Sequence, residues 1–279
     1  MENTIVRLES ISIENFKNVK YGQLCFANNR KNYRTSILGL YGQNGSGKTA
    51  LIDAIELLQL ALKGAQIPSK FADYINVEAG YAYLRYEFSV SGKEDRYQAF
   101  YEFKLTAEKI ETAQNTIVLE NDDVHFKAKI TDELLSYAYE SETLKIRKST
   151  LLDTSSQKVF TPTTKYSCLV GKDKKVNMNL MVDKKIIQAA SRSFAFSGEL
   201  LSVIRNNQAG KGDSEYQRHM RLIESLVRYG NFELFVINTA NSGIISMNML
   251  PLSFRYENGR SGAIGNILIP LEETAPIPE

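Results

Sequence analysis

Leu40-Tyr41-Gly42-Gln43-Asn44-Gly45-Ser46-Gly47-Lys48-Thr49 is the stretch on which the reading of the whole chain turns. Gly42, four residues, then Gly47-Lys48-Thr49 is the full spacing of a P-loop. Each position has a mechanical reason. The glycines let the backbone take conformations that side chains forbid, so successive N–H groups can turn inward around phosphate oxygens. Lys48 would reach the β- and γ-phosphates as a point charge, and the Thr49 hydroxyl would ligate Mg²⁺. A helix opening here adds its positive N-terminal dipole. Gly42, Gln43, Asn44, Gly45, Ser46, Gly47, Lys48 and Thr49 are therefore the candidate nucleotide site, with Thr49 the metal ligand.

The motif should follow a buried strand and open a helix. Thr35 to Tyr41 reads as a short apolar strand of the buried parallel kind. Thr49 to Lys63 reads as a helix: Leu51, Ala54, Ile55, Leu58 and Leu62 share one face, and Ile52, Leu57, Leu60 and Ala61 cover most of the rest. Asp53, Glu56 and Lys63 leave a narrow polar stripe, so the helix is expected to be mostly buried.

The chain's 279 residues hold one large domain or two small ones. At 43% hydrophobic and 24% charged it has the composition of an ordinary soluble protein, and a net charge of +2 forces no nucleic-acid or membrane partner. Cys25 and Cys168, isolated from each other, give no disulfide framework and fit a reducing compartment. Early charges (Glu2, Arg7, Glu9) argue against a signal peptide, and no run approaches a membrane span, so a cytoplasmic location is expected.

Ile5, Leu8, Ile11 and Ile13, then Tyr21 to Phe26, predict two strands with a turn near Asn18 to Gly22. The order Ile11-Ser12-Ile13-Glu14-Asn15-Phe16-Lys17-Asn18, a second strand, then Tyr41-Gly42 through Ile52-Asp53-Ala54-Ile55 resembles the start of SMC/RecF/OLD-type ATPases, the ABC-like heads of chromosome, DNA-repair and phage-defence proteins. The resemblance covers residues 5 to 62 and is weak afterwards. It implies an α/β P-loop core of ABC-ATPase-head type, ATP and Mg²⁺ as cofactors, and dimerisation through the head. It also implies a nuclease or toxin partner, or nucleic acid, in DNA repair or anti-phage defence. In that family residues near Asn15 to Lys17 lie close to the nucleotide. From its own pattern Phe16 is a core aromatic at a strand end.

Gly64 to Pro68 breaks the helix. Leu84, Tyr86, Phe88 and Val90, then Tyr97, Ala99, Tyr101, Phe103 and Leu105, alternate with polar residues across the Ser91 to Arg96 link. That predicts a hairpin with one wet face, and Thr116 to Leu119 and Val124 to Ala128 would extend the layer. This matches the antiparallel sheet flanking the P-loop in ABC-like heads. The family's magnesium-binding glutamine would be Gln98 or Gln114, and the sequence does not choose.

Residues 130–229 are expected as a compact inserted region, between a core at 1–129 and returning strands at 230–279. Thr131 to Tyr139 predicts a helix start with Thr131 as N-cap. From Glu142 to Lys185 lysine and arginine outnumber acids, which suits a solvated face or an acidic partner. No heptad repeat is sustained, so no long coiled-coil arm is expected. Ser214 with Gln217 predicts a capping box, Gly230 a helix end, and His219 and His125 no metal site. Strands are expected at Phe232 to Ile237, Ile244 to Met249, Leu252 to Tyr256 and Ile264 to Ile269.

A P-loop ATPase needs a second carboxylate on an apolar strand, usually followed by an acid that activates water. ABC-like heads also need a Leu-Ser-Gly-Gly-Glu-type signature. Phe196-Ser197-Gly198-Glu199 resembles part of that signature. Phe235 to Thr239 carries Asn238 and Thr239 in place of acids. Leu180 to Asp183 is followed by Lys184, and Ile117 to Glu120 suits a flanking strand better. None convinces. The expectation is an N-terminal portion of such an ATPase without its C-terminal lobe. The alternative is a non-hydrolysing module that uses nucleotide as a regulatory or scaffolding ligand.

Overall fold

The computed structural model describes residues 4–26, 38–43, 45–93, 95–110, 126–208, 210–236, 252–257 and 260–265. The chain divides into two units, Met1–Phe235 and Val236–Glu279.

The first unit is built on a six-stranded antiparallel sheet of β1 (Ile5–Phe16), β2 (Val19–Cys25), β3 (Tyr81–Ser91), β4 (Asp95–Lys109), β5 (Phe126–Ser141) and β6 (Lys145–Asp153), in spatial order β2-β1-β3-β4-β5-β6. Alternation decides which face is dry. Leu84, Tyr86, Phe88 and Val90 of β3, and Ala99, Tyr101, Phe103 and Leu105 of β4, are fully buried on one side, as their period of two predicts. The hairpin between them closes with the Gly92 amide donating to the Asp95 carbonyl at 2.8 Å. The first turn is tighter than expected: Phe16 pairs with Val19, so Lys17 and Asn18 alone make it, and Tyr21 and Gly22 lie within β2.

Helix α1 (Lys48–Leu62) packs on the dry face, where the Tyr86 hydroxyl donates to the Ala54 carbonyl at 2.8 Å. It is followed by a 3-10 turn at Ser69–Tyr74. After the sheet come α2 (Thr163–Val170), α3 (Lys174–Ala189), α4 (Gly198–Asn206), α5 (Ser214–Arg228) and a π-helical turn at Tyr229–Glu233. The second unit contains a hairpin of β7 (Leu252–Glu257) and β8 (Arg260–Gly265) in which Glu257 pairs with Arg260. The expected division at residue 129 falls inside β5, and residues 230–235 belong to the first unit.

Several local expectations are overturned. Thr131 to Tyr139 is strand, not helix. Ile130, Leu135, Tyr137 and Tyr139 point into the core, and the acids that mimic a helical first turn sit in a β-bulge where Lys104 pairs with Thr131 but Glu102 with Leu134. Asp132 takes a φ of 51° there, and Glu133 turns fully inward. Its carboxylate accepts from the Tyr101 hydroxyl at 2.7 Å, the Phe194 amide at 2.8 Å and the Ser193 hydroxyl. Burial raises its pKa, against the pull of those donors.

The cap of α5 is Asp213, whose side chain accepts from the Glu215 amide at 2.8 Å, rather than Ser214. Gly230 does not end the helix. A Cβ there would lie 2.5 Å from Leu62 Cβ, so the glycine permits close approach to the end of α1. Phe232 lies in the π turn instead of a strand. Leu180 to Asp183 lies within α3, not on a strand. Ile244 to Met249, Thr116 to Leu119, Ile117 to Glu120, Gln114 and His125 lie outside the described residues.

Candidate nucleotide-binding site

The P-loop acquires its shape from two left-handed glycines. Gly45 has φ 85°, and Gly47, with φ 88°, is the N-cap of α1. Gly47 is doubly constrained: a Cβ would also meet Val19 Cγ2 at 2.9 Å. The helix then begins with the Leu51 amide donating to the Gly47 carbonyl at 3.2 Å. At such a terminus the first-turn amides, those of Lys48 and Thr49 among them, have no carbonyl partner within the helix and remain available to an anion.

Lys48 folds over the loop. Its ammonium donates to the carbonyl oxygens of Gly42 and Gln43, both at 2.7 Å, and to Ser46 Oγ at 3.2 Å. The Thr49 side chain is exposed at the helix start. Gly42, Gln43, Gly45, Ser46, Gly47, Lys48 and Thr49 thus converge on one loop, and Asn44 lies outside the described residues. A cradle of left-handed glycines, a reachable lysine and an exposed hydroxyl fits a nucleoside phosphate with a hard cation. In such a fit the loop amides and Lys48 would hold the phosphates, and Thr49 would offer one oxygen to Mg²⁺.

The β1–β2 turn supports the loop. The Asn18 side-chain amide donates to the Gly45 carbonyl, and Lys17, at φ 52°, pairs with Asp53 of α1 while its ammonium lies 4.0 Å from the Tyr74 ring centroid. Asp53 is therefore buried at 6% exposure, not part of a wet stripe. It sits one helical turn after Thr49, on the same face. The family resemblance pointed to the Asn15 to Lys17 region, but the roles of Asn18 and Asp53 were not read from sequence. One signal was present: a carboxylate four residues beyond the P-loop threonine, on a helix otherwise apolar. Phe16 is fully buried in the core, edge-on to Tyr74 at 5.7 Å.

Among the described residues the expected buried strand before the loop is not found. Of Thr35 to Tyr41, residues 38–41 are irregular, with Leu38, Leu40 and Tyr41 exposed at 52%, 37% and 97%. A strand buried on both faces needs parallel neighbours. Every pairing in the six-stranded sheet is antiparallel, and none involves residues 38–41.

Other expected site residues are drawn elsewhere. Gln98 pairs with Ser89, which pairs with Arg7, nine residues along β1 from Phe16. At about 3.3 Å per residue that is roughly 30 Å from the turn that holds the P-loop. Gln98 donates instead to Glu87. Phe196 to Glu199 is a core junction: Phe196 is buried, Ser197 caps α4, and Glu199 pairs with Arg192 at 3.1 Å. The neighbouring Gly64 leaves no room, since a Cβ there would lie 2.6 Å from the Phe196 carbonyl oxygen.

The basic run is partly consumed internally. Lys145 pairs with Glu140, Lys165 with Glu215, and Lys148 lies 3.8 Å from Glu102. Lys184 is buried and donates to the carbonyls of Thr154, Ser156 and Lys158 at 2.8, 3.0 and 2.7 Å. Burial lowers its pKa. His219 is fully buried with Nε2 2.8 Å from the Tyr137 hydroxyl, a packing role.

No helix among the described residues is long and apolar enough to cross a membrane. No curated protein matches the chain. A family model described as an AAA domain matches residues 10–223, from β1 through the P-loop into α5. With the P-loop motif inside a match spanning well over half its length, the chain belongs to the AAA domain family of nucleotide-binding P-loop ATPases.

Proposed function

We propose that the chain is an ATP- and Mg²⁺-binding part of an SMC/RecF/OLD-like ATPase of ABC-head type. The observation that carries this reading is the seating of the β1–β2 turn on the P-loop through Asn18 and Gly45, beside the six-stranded antiparallel sheet. Gly42 to Thr49 hold the triphosphate, and Lys48 leaves the Gly42 and Gln43 carbonyls to meet it. Bound Mg²⁺ supplies charge neutralisation at the β- and γ-phosphates.

A complete hydrolytic site needs a carboxylate-bearing strand. The exposed run Leu38 to Tyr41 is the surface on which such a strand, from a C-terminal lobe, would pair, and a signature segment from a second copy would close the site. DNA repair or defence against phage and plasmids is the biology the resemblance implies, in the cytoplasm, with a nuclease or toxin partner or nucleic acid. The alternative, a non-hydrolysing regulatory module, is favoured by one observation: Asp53, the carboxylate one helical turn beyond Thr49, is held by Lys17.

Calorimetric titration of ATP with Mg²⁺, and phosphate release, on the chain and on Lys48→Ala test both readings. Binding with turnover, abolished in the variant, supports the ATPase. Binding without turnover, unrescued by a longer reading frame, leaves the regulatory module. Absence of binding removes both.

A further inference from the structure

Helix α3 turns an unusual face outward. Leu180 and Ile187 are buried at 1% and 2% exposure, and Lys184 is pinned among carbonyls. On the opposite side Met178, Met181, Val182 and Ile186 are exposed at 69%, 37%, 57% and 60%. Their spacing of i, i+3, i+4 and i+8 makes an apolar stripe one helix wide and about 12 Å long. Lys174 and Lys175 flank it at one end and Lys185 toward the other, all three exposed and without an ion-pair partner among the described residues.

We propose that this face of α3 docks a short amphipathic helix of another protein, with an apolar seam and acidic residues at both ends. The width of the stripe selects a helix, since only a single seam of knobs is presented. The two methionines make the surface adaptable to such a seam. The lysines select the charge of the partner. They also oppose a parallel pairing with the α3 of a second copy, and dimerisation is an outcome of the test below. In a parallel α3 pair in register each lysine would meet itself. The stripe holds no aromatic side chain on which a nucleobase could stack.

The test presents the 279-residue chain to a displayed library of helices of about 18 residues, with a fixed apolar seam and flanks randomised among Glu, Gln and Lys. Enriched helices carry acidic flanks at both ends, and Val182→Glu weakens the best of them about tenfold or more. The triple variant Lys174→Glu, Lys175→Glu, Lys185→Glu switches the preference to lysine-flanked helices. All these residues are exposed, so the fold is retained, checked by circular dichroism. Three results overturn the proposal: no helix enriched above the Val182→Glu background, flanks without charge preference, or an unchanged preference in the triple variant. Binding of phosphatidylserine vesicles or of a single-stranded oligonucleotide, lost in Val182→Glu while no helix binds, also overturns it. So does dimerisation lost in that variant.

Discussion

The Lys48 ammonium lies 2.7 Å from the Gly42 carbonyl oxygen, so the first and last parts of the P-loop are tied by the residue that would hold phosphate. Exchange of that carbonyl for a phosphate oxygen replaces a neutral acceptor with a charged one, which is the stronger bond. Lys48→Ala is expected to lower nucleotide affinity by about 10- to 100-fold, the scale of one charge-assisted hydrogen bond. Stability should change by no more than about 0.5 kcal/mol, because the bonds lost are loop contacts near the surface. Calorimetric titration and urea unfolding read the two effects separately.

Gly45 and Gly47 share a left-handed backbone but not the same surroundings. Gly45→Ala meets nothing within 4 Å and incurs only the conformational cost, about 1 kcal/mol. Gly47→Ala adds a Cβ 2.9 Å from Val19 Cγ2, so β2 or the helix start must move. Its loss of stability should exceed that of Gly45→Ala, and Val19→Ala should restore part of the difference. Equal losses for the two glycine variants, measured by chemical denaturation, would count against this packing of the turn on the loop.

Glu133 gathers the Tyr101 hydroxyl, the Ser193 hydroxyl and the Phe194 amide in the core. Glu133→Ala strands all three donors and should cost about 3 kcal/mol or more, whereas Tyr101→Phe, which removes one donor cleanly, should cost about 1 kcal/mol. Urea midpoints of the two variants check the ordering.

His219 gives stability a pH dependence. Burial lowers its pKa to about 4 from the ordinary 6.5, with the Lys165 charge assisting. The folded state therefore resists a proton that the unfolded chain accepts. The contribution is fully present above pH 6.5 and is lost as pH falls from there towards about 4, an effect of about 3 kcal/mol at most. Glu133, whose pKa burial raises, acts in the opposite sense. Comparison with His219→Gln isolates the histidine: the difference in unfolding free energy between the two proteins should shrink as pH is lowered from about 7 to about 4.5. A difference that stays constant over that range would show that the ring titrates normally.

The local features legible in the sequence were those set by short-range rules. The α1 helix, the β3–β4 hairpin and the P-loop followed from period, turn chemistry and glycine spacing, because each is decided by residues close along the chain. Thr131 to Tyr139 reads as a helix in sequence because the acids of a β-bulge and the acids of a helical first turn look alike until a partner strand is in place. In sequence Gly230 has the pattern of a helix end and Ser197 that of a signature fragment. Contacts with Leu62 and the Phe194 carbonyl, far along the chain or set by its folded path, gave Gly230 a different role and fixed Ser197 as the α4 cap.

The sequence by itself determined the P-loop spacing at residues 42–49, Gly42, four residues, then Gly47-Lys48-Thr49, whose residue types suit a phosphate-binding loop at a helix start. Only the tertiary structure decided what surrounds it. Asn18 and Lys17 reach the loop and α1 because β1 and β2 pair in antiparallel register, which puts their turn at the P-loop end of the sheet. Leu38 to Tyr41 stays exposed because every pairing of that sheet is antiparallel and none takes up these residues. Strand pairing is a long-range choice, made between residues whose separation along the chain carries no signal of which edge will meet which.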